Sequence, residues 1–309
     1  MDKRLLERMK TDIDGISVSV IKNLENEIKE YLDKCGVCFK VFPRIKSSKS
    51  IIEKLEERER RGKKGYKLQD LVGIRIVLYF KADIPLCEKL VSQNYQVVDI
   101  SKDEEEADKF KPQRINYVCT LPDSIVRNFE PKVWEYPIDQ TFEIQIRTVF
   151  SEGWHEIEHD FRYKCLKDWD DNQDLSRTMN GIMATLDNCD WTMTSLLNQM
   201  AYRHYKAGEW IPMLQNTLRI RITDANDMED ILQYFDQHKD VAKQFFRLER
   251  EEFLLWLSEI KMRIPLKLRT VVLLANLFGV KDEYLESITS EILKDAAVCK
   301  KDDEAAYDD

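Results

Sequence analysis

The sequence predicts an α+β domain over residues 1–165 and a mainly α-helical module over 166–299. In the first part, short apolar runs with the alternation typical of strands are interspersed with amphipathic helical patterns. An acidic stretch, DWDDNQD, follows it, and beyond that stretch most periodic segments have helical spacing. Residues 300–309 (KKDDEAAYDD) are polar, and we expect them to form a disordered acidic tail.

The elements of the first part are set by apolar spacing and by the residues that start or stop helices. Gly36 ends the opening helix, and Ser47, Ser48 or Ser50 can cap the next one. The run TFEIQIRT alternates cleanly, with apolar side chains on one face and polar side chains on the other. In chain order we predict a helix over 3–33, a strand over 37–42, a helix over 51–61, a strand over 73–80, a helix over 84–91, strands over 95–100, 114–121 and 141–148, and a helix over 150–164.

The second part is dominated by helical periodicity. Its longest pattern covers 175–205, and others cover 228–236, 241–257 and 268–278. A strand-like run, TLRIRI, at 217–222 interrupts them. A module of this type, without a catalytic motif of its own, is a candidate for regulation or homo-oligomerisation.

Charge divides along the same boundary. Residues 1–165 carry 30 basic and 30 acidic side chains, and residues 166–309 carry 18 and 27, so the net −9 of the chain lies in the second part. Within the first part, Lys40–Lys67 holds 11 basic residues against 4 acidic ones, a local +7. Arg44, Lys46 and Lys49 cluster at a predicted helix N-terminus, where free N–H groups add to the attraction for phosphate. This segment is a candidate polyphosphate site, with a solvated helix face as the alternative.

The sequence predicts a cytoplasmic protein with no membrane segment. Its N-terminus is charged and has no apolar core of a signal peptide, and its longest apolar stretch is about half the ~20 residues that a bilayer requires. Cys35 and Cys38 form a CxxC pair, but no second pair has the spacing of a zinc site. We therefore interpret them as structural thiols rather than as a redox or metal pair.

Two carboxylates have the placement of a magnesium site. Asp70 directly precedes a buried-strand run, and Glu143 lies on the polar face of another strand. Mg²⁺ prefers one or two carboxylates together with substrate phosphates. With the basic segment nearby, these residues provide the equipment for phosphoryl or pyrophosphoryl transfer.

The run His155–His159 matches the HExxH pattern of zinc peptidases. The extension that supplies a third ligand is missing, since Arg162 and Cys165 stand where Gly and His belong. We therefore expect no zinc, with His155 as a packing or capping residue and His159 as a phosphate contact. Motifs of P-loop NTPases, dinucleotide-binding folds and α/β-hydrolases are absent from the sequence.

Three ordered blocks resemble the synthetase domain of the RelA/SpoT family: RIKSSKSIIEKL, LQDLVGIRIVLYF and FEIQIRTVFSEGWHEIEHDFRYK. The resemblance covers about residues 1–165. It implies a mixed β-sheet flanked by helices, related to nucleotidyltransferases. It also implies transfer of the β,γ-pyrophosphate of ATP to a nucleotide 3′-hydroxyl, which makes (p)ppGpp from GDP or GTP. The residues of the family's hydrolase are not found, so a synthetase-only protein is implied.

The resemblance assigns roles by position. Asp70 and Glu143 correspond to the catalytic Mg²⁺ site, with Glu143 also placed to activate the acceptor hydroxyl. The positions assigned to ATP are the adenine-stacking pair Arg44 and Arg75 and the phosphate contacts Lys46, Ser50 and Lys54. The positions assigned to the acceptor are Gln145, Arg147, His159, Lys164 and Asn116.

The acceptor loop departs from the family pattern. Pro112 stands where the family has the tyrosine that stacks on guanine, and Asn116 stands where it has a histidine. GDP or GTP remains the favoured acceptor, and adenine nucleotides or the tRNA 3′ end are the alternatives. A catalytically weak nucleotide sensor that signals through 166–309 is a further hypothesis.

Overall fold

The computed structural model describes residues 3–62, 67–102 and 115–298. The predicted tail at 300–309 and the Pro112 position of the acceptor loop lie outside these ranges. The strands are β1 Phe39–Ile45, β2 Val72–Leu78, β3 Val97–Lys102, β4 Ile115–Thr120 and β5 Thr141–Thr148. The α-helices of the first 170 residues are α1 Lys3–Asp14, α2 Lys22–Cys35, α3 Ser48–Arg60, α4 Ile84–Asn94, α5 Asp123–Val126, α6 Val149–Phe161 and α7 Leu166–Asp170.

The remainder of the described chain is helical, as predicted. It contains α8 Gln173–Ala207, α9 Trp210–Leu218, α10 Glu229–Gln237, α11 Lys239–Phe246, α12 Arg250–Glu259, α13 Leu268–Ala275, α14 Glu283–Ser287 and α15 Glu291–Ala297, with a π-helical turn at Asn276–Val280. None of the described helices has the length and hydrophobicity needed to cross a membrane.

The five strands form one mixed sheet in the order β1-β2-β5-β4-β3, so the predicted fold class is confirmed. β2 and β5 run parallel at its centre, and the other pairs are antiparallel. One face of the central strands is apolar: Ile74, Ile76 and Ile144 are fully buried, and Ile146 nearly so. Burial of this face fixes the register, because a shift by one residue would turn every polar side chain into the core.

Local capping positions the two helices that flank the polar face. The Ser47 side chain accepts a hydrogen bond from Ser50 N and so caps α3. Thr148 and Ser151 form a reciprocal capping box that starts α6 directly after β5. A strand and its following helix are therefore joined without a loop, which holds α6 against the C-terminal end of β5.

Two predicted elements differ from the structure. The predicted helix over 3–33 is interrupted after Asp14 because Ser17 caps a short 3₁₀ turn, Val18–Ile21, before α2 begins. The strand-like run TLRIRI is not a strand: its first two residues end α9, and Arg219 adopts a left-handed conformation (φ 49°). The following Arg221 N donates to Gly36 O at 2.7 Å, a single irregular backbone contact.

The described chain divides into two compact units. The first contains residues up to Lys29, Phe39–Tyr79 and Cys87–Asn188, and the second contains Glu30–Cys38, Phe80–Leu86 and the chain from Cys189 onward. The second unit has its own aromatic core, in which Phe235 and Phe245 are buried with ring centroids 5.3 Å apart. The domain boundary at residue 165 stays a prediction.

The CxxC pair lies at the end of α2. Cys35 is fully buried, and its Sγ donates to Tyr31 O at 3.4 Å. Burial raises the pKa of the Cys35 thiol to about 12, and the pKa of the half-buried Cys38 is also raised by burial. Both thiols therefore stay protonated and unreactive at neutral pH, as expected of structural cysteines.

Candidate nucleotide site

The polar face of the sheet gathers most of the predicted site residues. Strand pairing places Arg44 beside Gly73 and Gly73 beside Glu143, and one row further along it aligns Arg75, Gln145 and Asn116. Directly paired residues point to the same face of a sheet. Three separate sequence blocks are thereby brought onto one surface by four neighbouring strands.

Gly73 provides a gap in this face. A Cβ atom at this position would lie 3.2 Å from both Cγ and Nε of Arg44, so the arginine side chain lies directly over the glycine. Arg44 can therefore cross β2 in the direction of Glu143 only because residue 73 has no side chain. The sequence motif DLVGIRI gives this glycine no visible role before the register is known.

A cationic pocket of about 770 Å³ lies beside the N-terminus of α3. Its walls include five basic and two acidic side chains together with Ser47, Ser50, His159 and Tyr163. The predicted ATP-phosphate residues Lys46, Ser50 and Lys54 come together here with Arg44, and Arg60 adds a further cation. Lys164, which the resemblance assigns to the acceptor, also lies in this pocket.

Asp70 is held by two of these lysines. Its Oδ2 lies 2.5 Å from Lys46 Nζ and 2.8 Å from Lys54 Nζ, and its side chain is 13% exposed. Burial would raise the pKa of Asp70, but the two ammonium groups outweigh burial and hold the pKa below its usual value. Burial lowers the pKa of Lys46, partly offset by Asp70. The carboxylate is thus ionised at neutral pH.

The second oxygen of Asp70 makes this residue suitable for a cation. Its Oδ1 is buried, and no hydrogen-bond partner for it lies among the described residues. A buried carboxylate oxygen without a partner is unusual and is the kind of donor that Mg²⁺ accepts. The residue fits a magnesium ligand, while no group of three or more metal-binding side chains occurs within the described ranges.

Glu143 belongs to a different set of contacts. Gln145 Nε2 donates to Glu143 Oε2 at 3.0 Å, and Arg75 Nε donates to Gln145 Oε1 at 3.3 Å. The two predicted metal ligands therefore contact separate neighbours: Asp70 contacts lysines, and Glu143 contacts an amide. Substrate phosphates would have to complete any ion shell that joins them.

Arg75 is engaged by two glutamates that sequence reasoning missed. Its Nη1 pairs with both Glu152 and Glu156 of α6, and this interaction raises the pKa of Arg75 despite the opposing effect of burial. The two glutamates are spaced i,i+4 and share one helix face. This spacing was the available signal, but only the parallel pairing of β2 with β5 and the cap of α6 show which arginine they meet.

A second pocket of about 410 Å³ adjoins the first. It contains most of the predicted acceptor residues, Asn116, Gln145, Arg147 and His159, and it also contains Arg75. Arg44, His159 and Tyr163 line both pockets. Two cavities with a shared wall are the arrangement that a transfer between two bound molecules requires. The roles assigned to these residues stay predictions.

The two histidines of the HExxH run have unrelated surroundings. His155 is buried, and its Nε2 lies 2.6 Å from Arg147 Nη1, in keeping with a packing role. His159 is exposed, contacts Asp160 at 2.9 Å and stacks on Tyr163, with ring centroids 5.9 Å apart. Tyr163 was also missed by sequence reasoning, although it closes the third block of the resemblance, two residues after Phe161.

Comparison with known proteins identifies one region of the chain. Residues 43–168 match the sequence model described as "Region found in RelA / SpoT proteins". A comparison with curated proteins gives no match.

Three solved structures are similar in fold. Small alarmone synthetase 1 from Bacillus subtilis bound to its product pppGpp is 20% identical over 63% of this chain and 97% of that chain, with a TM-score of 0.48. A GTP pyrophosphokinase family protein from Streptococcus pneumoniae is 18% identical, with 63% and 94% covered and a TM-score of 0.45. Small alarmone synthetase 2 from Bacillus subtilis is 23% identical, with 63% and 96% covered and a TM-score of 0.43.

The matched region contains all of β1, β2 and β5, the helices α3 and α6, and every residue of the two adjoining pockets. The chain therefore contains, over residues 43–168, a RelA/SpoT synthetase-type region.

Proposed function

We propose that this chain is a pyrophosphokinase that transfers the β,γ-pyrophosphate of ATP to the 3′-hydroxyl of a nucleotide. The observation that carries the proposal is the pair of adjoining pockets on one sheet face. One has five cations and two carboxylates in its wall, which suits a triphosphate, and the other is lined by amides, arginines and carboxylates, which suits a base and ribose. Membership of the RelA/SpoT region supports the same reaction class.

The donor occupies the cationic pocket in this proposal. Lys46, Lys54 and Lys164 contact the phosphates, and the adjacent N-terminus of α3 offers free N–H groups to them. Arg44, which lies over Gly73 between the two pockets, stacks on the adenine. Arg75 joins it as the second stacking group after leaving one of its two glutamates.

In the transfer itself, the acceptor 3′-oxygen attacks the β-phosphorus of ATP. The new bond joins the 3′-oxygen to the β-phosphorus, the bond from the β-phosphorus to the oxygen bridging it to the α-phosphorus breaks, and AMP leaves. Glu143 takes the proton of the attacking hydroxyl, and Gln145 Nε2 holds its carboxylate in place. Asp70 and Glu143 would hold Mg²⁺, which when bound would neutralise the phosphate charge.

The acceptor is GDP or GTP in the favoured form of the proposal, and adenine nucleotides or the tRNA 3′ end are the alternatives. The protein is incubated with ATP labelled in the γ-phosphate, Mg²⁺ and each of GDP, GTP, ATP and deacylated tRNA. We expect label to appear in a guanosine nucleotide and Glu143→Gln to slow the transfer about 10²–10⁴-fold. Label in none of the acceptors, or transfer that survives Glu143→Gln, would contradict the proposal.

One observation favours a second candidate, a nucleotide-binding sensor with little catalytic activity. The charged groups of the site are already paired with each other, Asp70 with lysines and Arg75 with glutamates. Calorimetry separates the candidates: a sensor binds ATP with an affinity that Glu143→Gln leaves unchanged and gives no labelled product with any acceptor.

A further inference from the structure

A pocket of about 310 Å³ in the second unit has no part in the proposed reaction. It lies between the end of α2, the extended chain at 221–223, the end of α12 and the chain at 260–266. Its volume is at the lower end of the range found for small-molecule sites, ~300–1,000 Å³.

The floor of this pocket is apolar. Leu257, Ile260 and Leu266 are each less than a tenth exposed, and Leu274 is fully buried. Met262 lies at the mouth and is 46% exposed, so an unbranched and adaptable thioether borders the opening. Such a floor favours an apolar group over a hydrated ion, because filling it removes apolar surface from water.

The walls are held by backbone hydrogen bonds rather than by mobile side chains. Arg221 N donates to Gly36 O at 2.7 Å, and Thr223 N donates to Leu266 O at 3.0 Å. Gly36 has φ +70°, and a Cβ atom there would lie 2.6 Å from Leu266 Cδ1. A residue other than glycine would thus close this wall onto Leu266, so the cavity is formed before any ligand binds.

The rim is cationic. Lys34, Arg221 and Arg263 line the pocket, with Asp33 as the single carboxylate, and the ion pair from Arg221 Nη1 to Asp33 Oδ1 is long, at 3.8 Å. This net +2 occurs in the half of the chain that carries all the net negative charge, 18 basic against 27 acidic side chains over 166–309. The charge of the rim is therefore opposite to that of the chain around it in sequence.

We infer that this pocket binds a small amphiphilic anion, with its apolar body on Leu257, Ile260 and Leu274 and its carboxylate or phosphate head between Arg221 and Arg263. A guanidinium pairs with either head group through two parallel hydrogen bonds. The inference is independent of the proposed pyrophosphokinase activity.

The test uses calorimetry on the full chain with three probes of equal length: octanoate, octanol and octylammonium. We expect octanoate to bind at least about tenfold more tightly than the other two. Octanoate and octanol of equal affinity would reduce the site to a hydrophobic hollow, and absence of octanoate binding up to millimolar concentration would also overturn the inference. Octyl phosphate in place of octanoate identifies the preferred head group.

Two variants locate the head group. Arg263 is exposed and contributes to the rim, so Arg263→Glu should weaken octanoate binding at least about tenfold and make octylammonium the better probe. The matched control is Arg247→Ala, an exposed arginine of the same unit that does not line the pocket. Equal losses in both variants would contradict the assignment, and thermal melts confirm that each variant is folded.

Discussion

Asp70 receives both Lys46 and Lys54 on one oxygen and leaves the other oxygen without a partner among the described residues. This asymmetry lets a single side chain organise the cationic pocket and still offer a ligand atom. Without a nucleotide the two lysines are neutralised by the aspartate. With one, the phosphates would replace the carboxylate as their partner.

The stability of this pairing depends on pH. Because the folded-state pKa of Asp70 is lowered, its contribution is fully present above the unfolded pKa of about 4 and is lost as pH falls through the folded pKa. We expect Asp70→Asn to lower the free energy of unfolding by about 2 kcal/mol at pH 7, and by less below pH 4. Urea unfolding at pH 7, 5 and 3 measures this difference. A difference that grows toward low pH would contradict the ion-pair account.

Gly73 gives a second prediction at this scale. In Gly73→Ala the new methyl group meets Arg44 at 3.2 Å, so the arginine must move away from its course over β2. We expect the KM for ATP to rise several-fold with little change in Tm. Gly181→Ala, where nothing lies within 4 Å of the new methyl group, should leave KM unchanged. Unchanged kinetics in Gly73→Ala would show that Arg44 does not contact the nucleotide from this position.

At the scale of elements, α1 and α3 are joined by a contact between residues far apart in sequence. Asp14, the last residue of α1, accepts hydrogen bonds from Ser48 N at 3.1 Å and from Ser48 Oγ at 2.7 Å. The carboxylate thus satisfies a free N–H group in the first turn of α3, next to the residues that line the cationic pocket. The opening helix thereby fixes the start of the proposed phosphate site.

Removal of this contact should affect stability and binding together. We expect Asp14→Ala to cost about 1 kcal/mol of unfolding free energy and to weaken ATP binding, because the first turn of α3 frays. Asp14→Asn keeps an acceptor oxygen and should retain most of the affinity. Calorimetric titration with ATP measures both variants, and an Asp14→Ala protein with wild-type affinity would separate α1 from the site.

Sequence patterns predict elements where a local signal is complete. β5 occupies Thr141–Thr148, the predicted range, because strict alternation marks both of its faces. The break near Gly15 in the opening helix was missed because apolar spacing continues through it while Ser17 starts a new turn. TLRIRI looks like a strand, but the backbone at Arg219 turns left-handed and leaves no neighbouring strand in register.

The site was predictable only in part for a related reason. Its residue types and blocks are visible in the sequence, but the grouping of Lys164 with the ATP-side residues depends on where the end of α6 lies. The pairing of Arg75 with Glu152 and Glu156 links positions about eighty residues apart. Such contacts follow from strand order, which local periodicity does not determine.

For the whole molecule, net charge is a poor guide to its ligands. The chain is acidic overall, yet its nucleotide region is neutral and contains a +7 segment. We expect ATP affinity to fall steeply as ionic strength rises from 50 to 500 mM, because several cations act on one polyanion. Lys54→Gln should reduce this salt dependence, and Lys239→Gln, an exposed lysine of the second unit, should not. Affinity independent of salt would contradict the placement of the triphosphate.

The central claim, transfer of an intact pyrophosphate group, is tested most directly by ³¹P NMR of ATP turnover in the presence of GDP. The account predicts AMP and a guanosine nucleotide carrying a 3′-diphosphate in equal amounts, and neither product when Glu143 is replaced by glutamine. Formation of ADP and inorganic phosphate, or of AMP and free pyrophosphate with no modified acceptor, would contradict it.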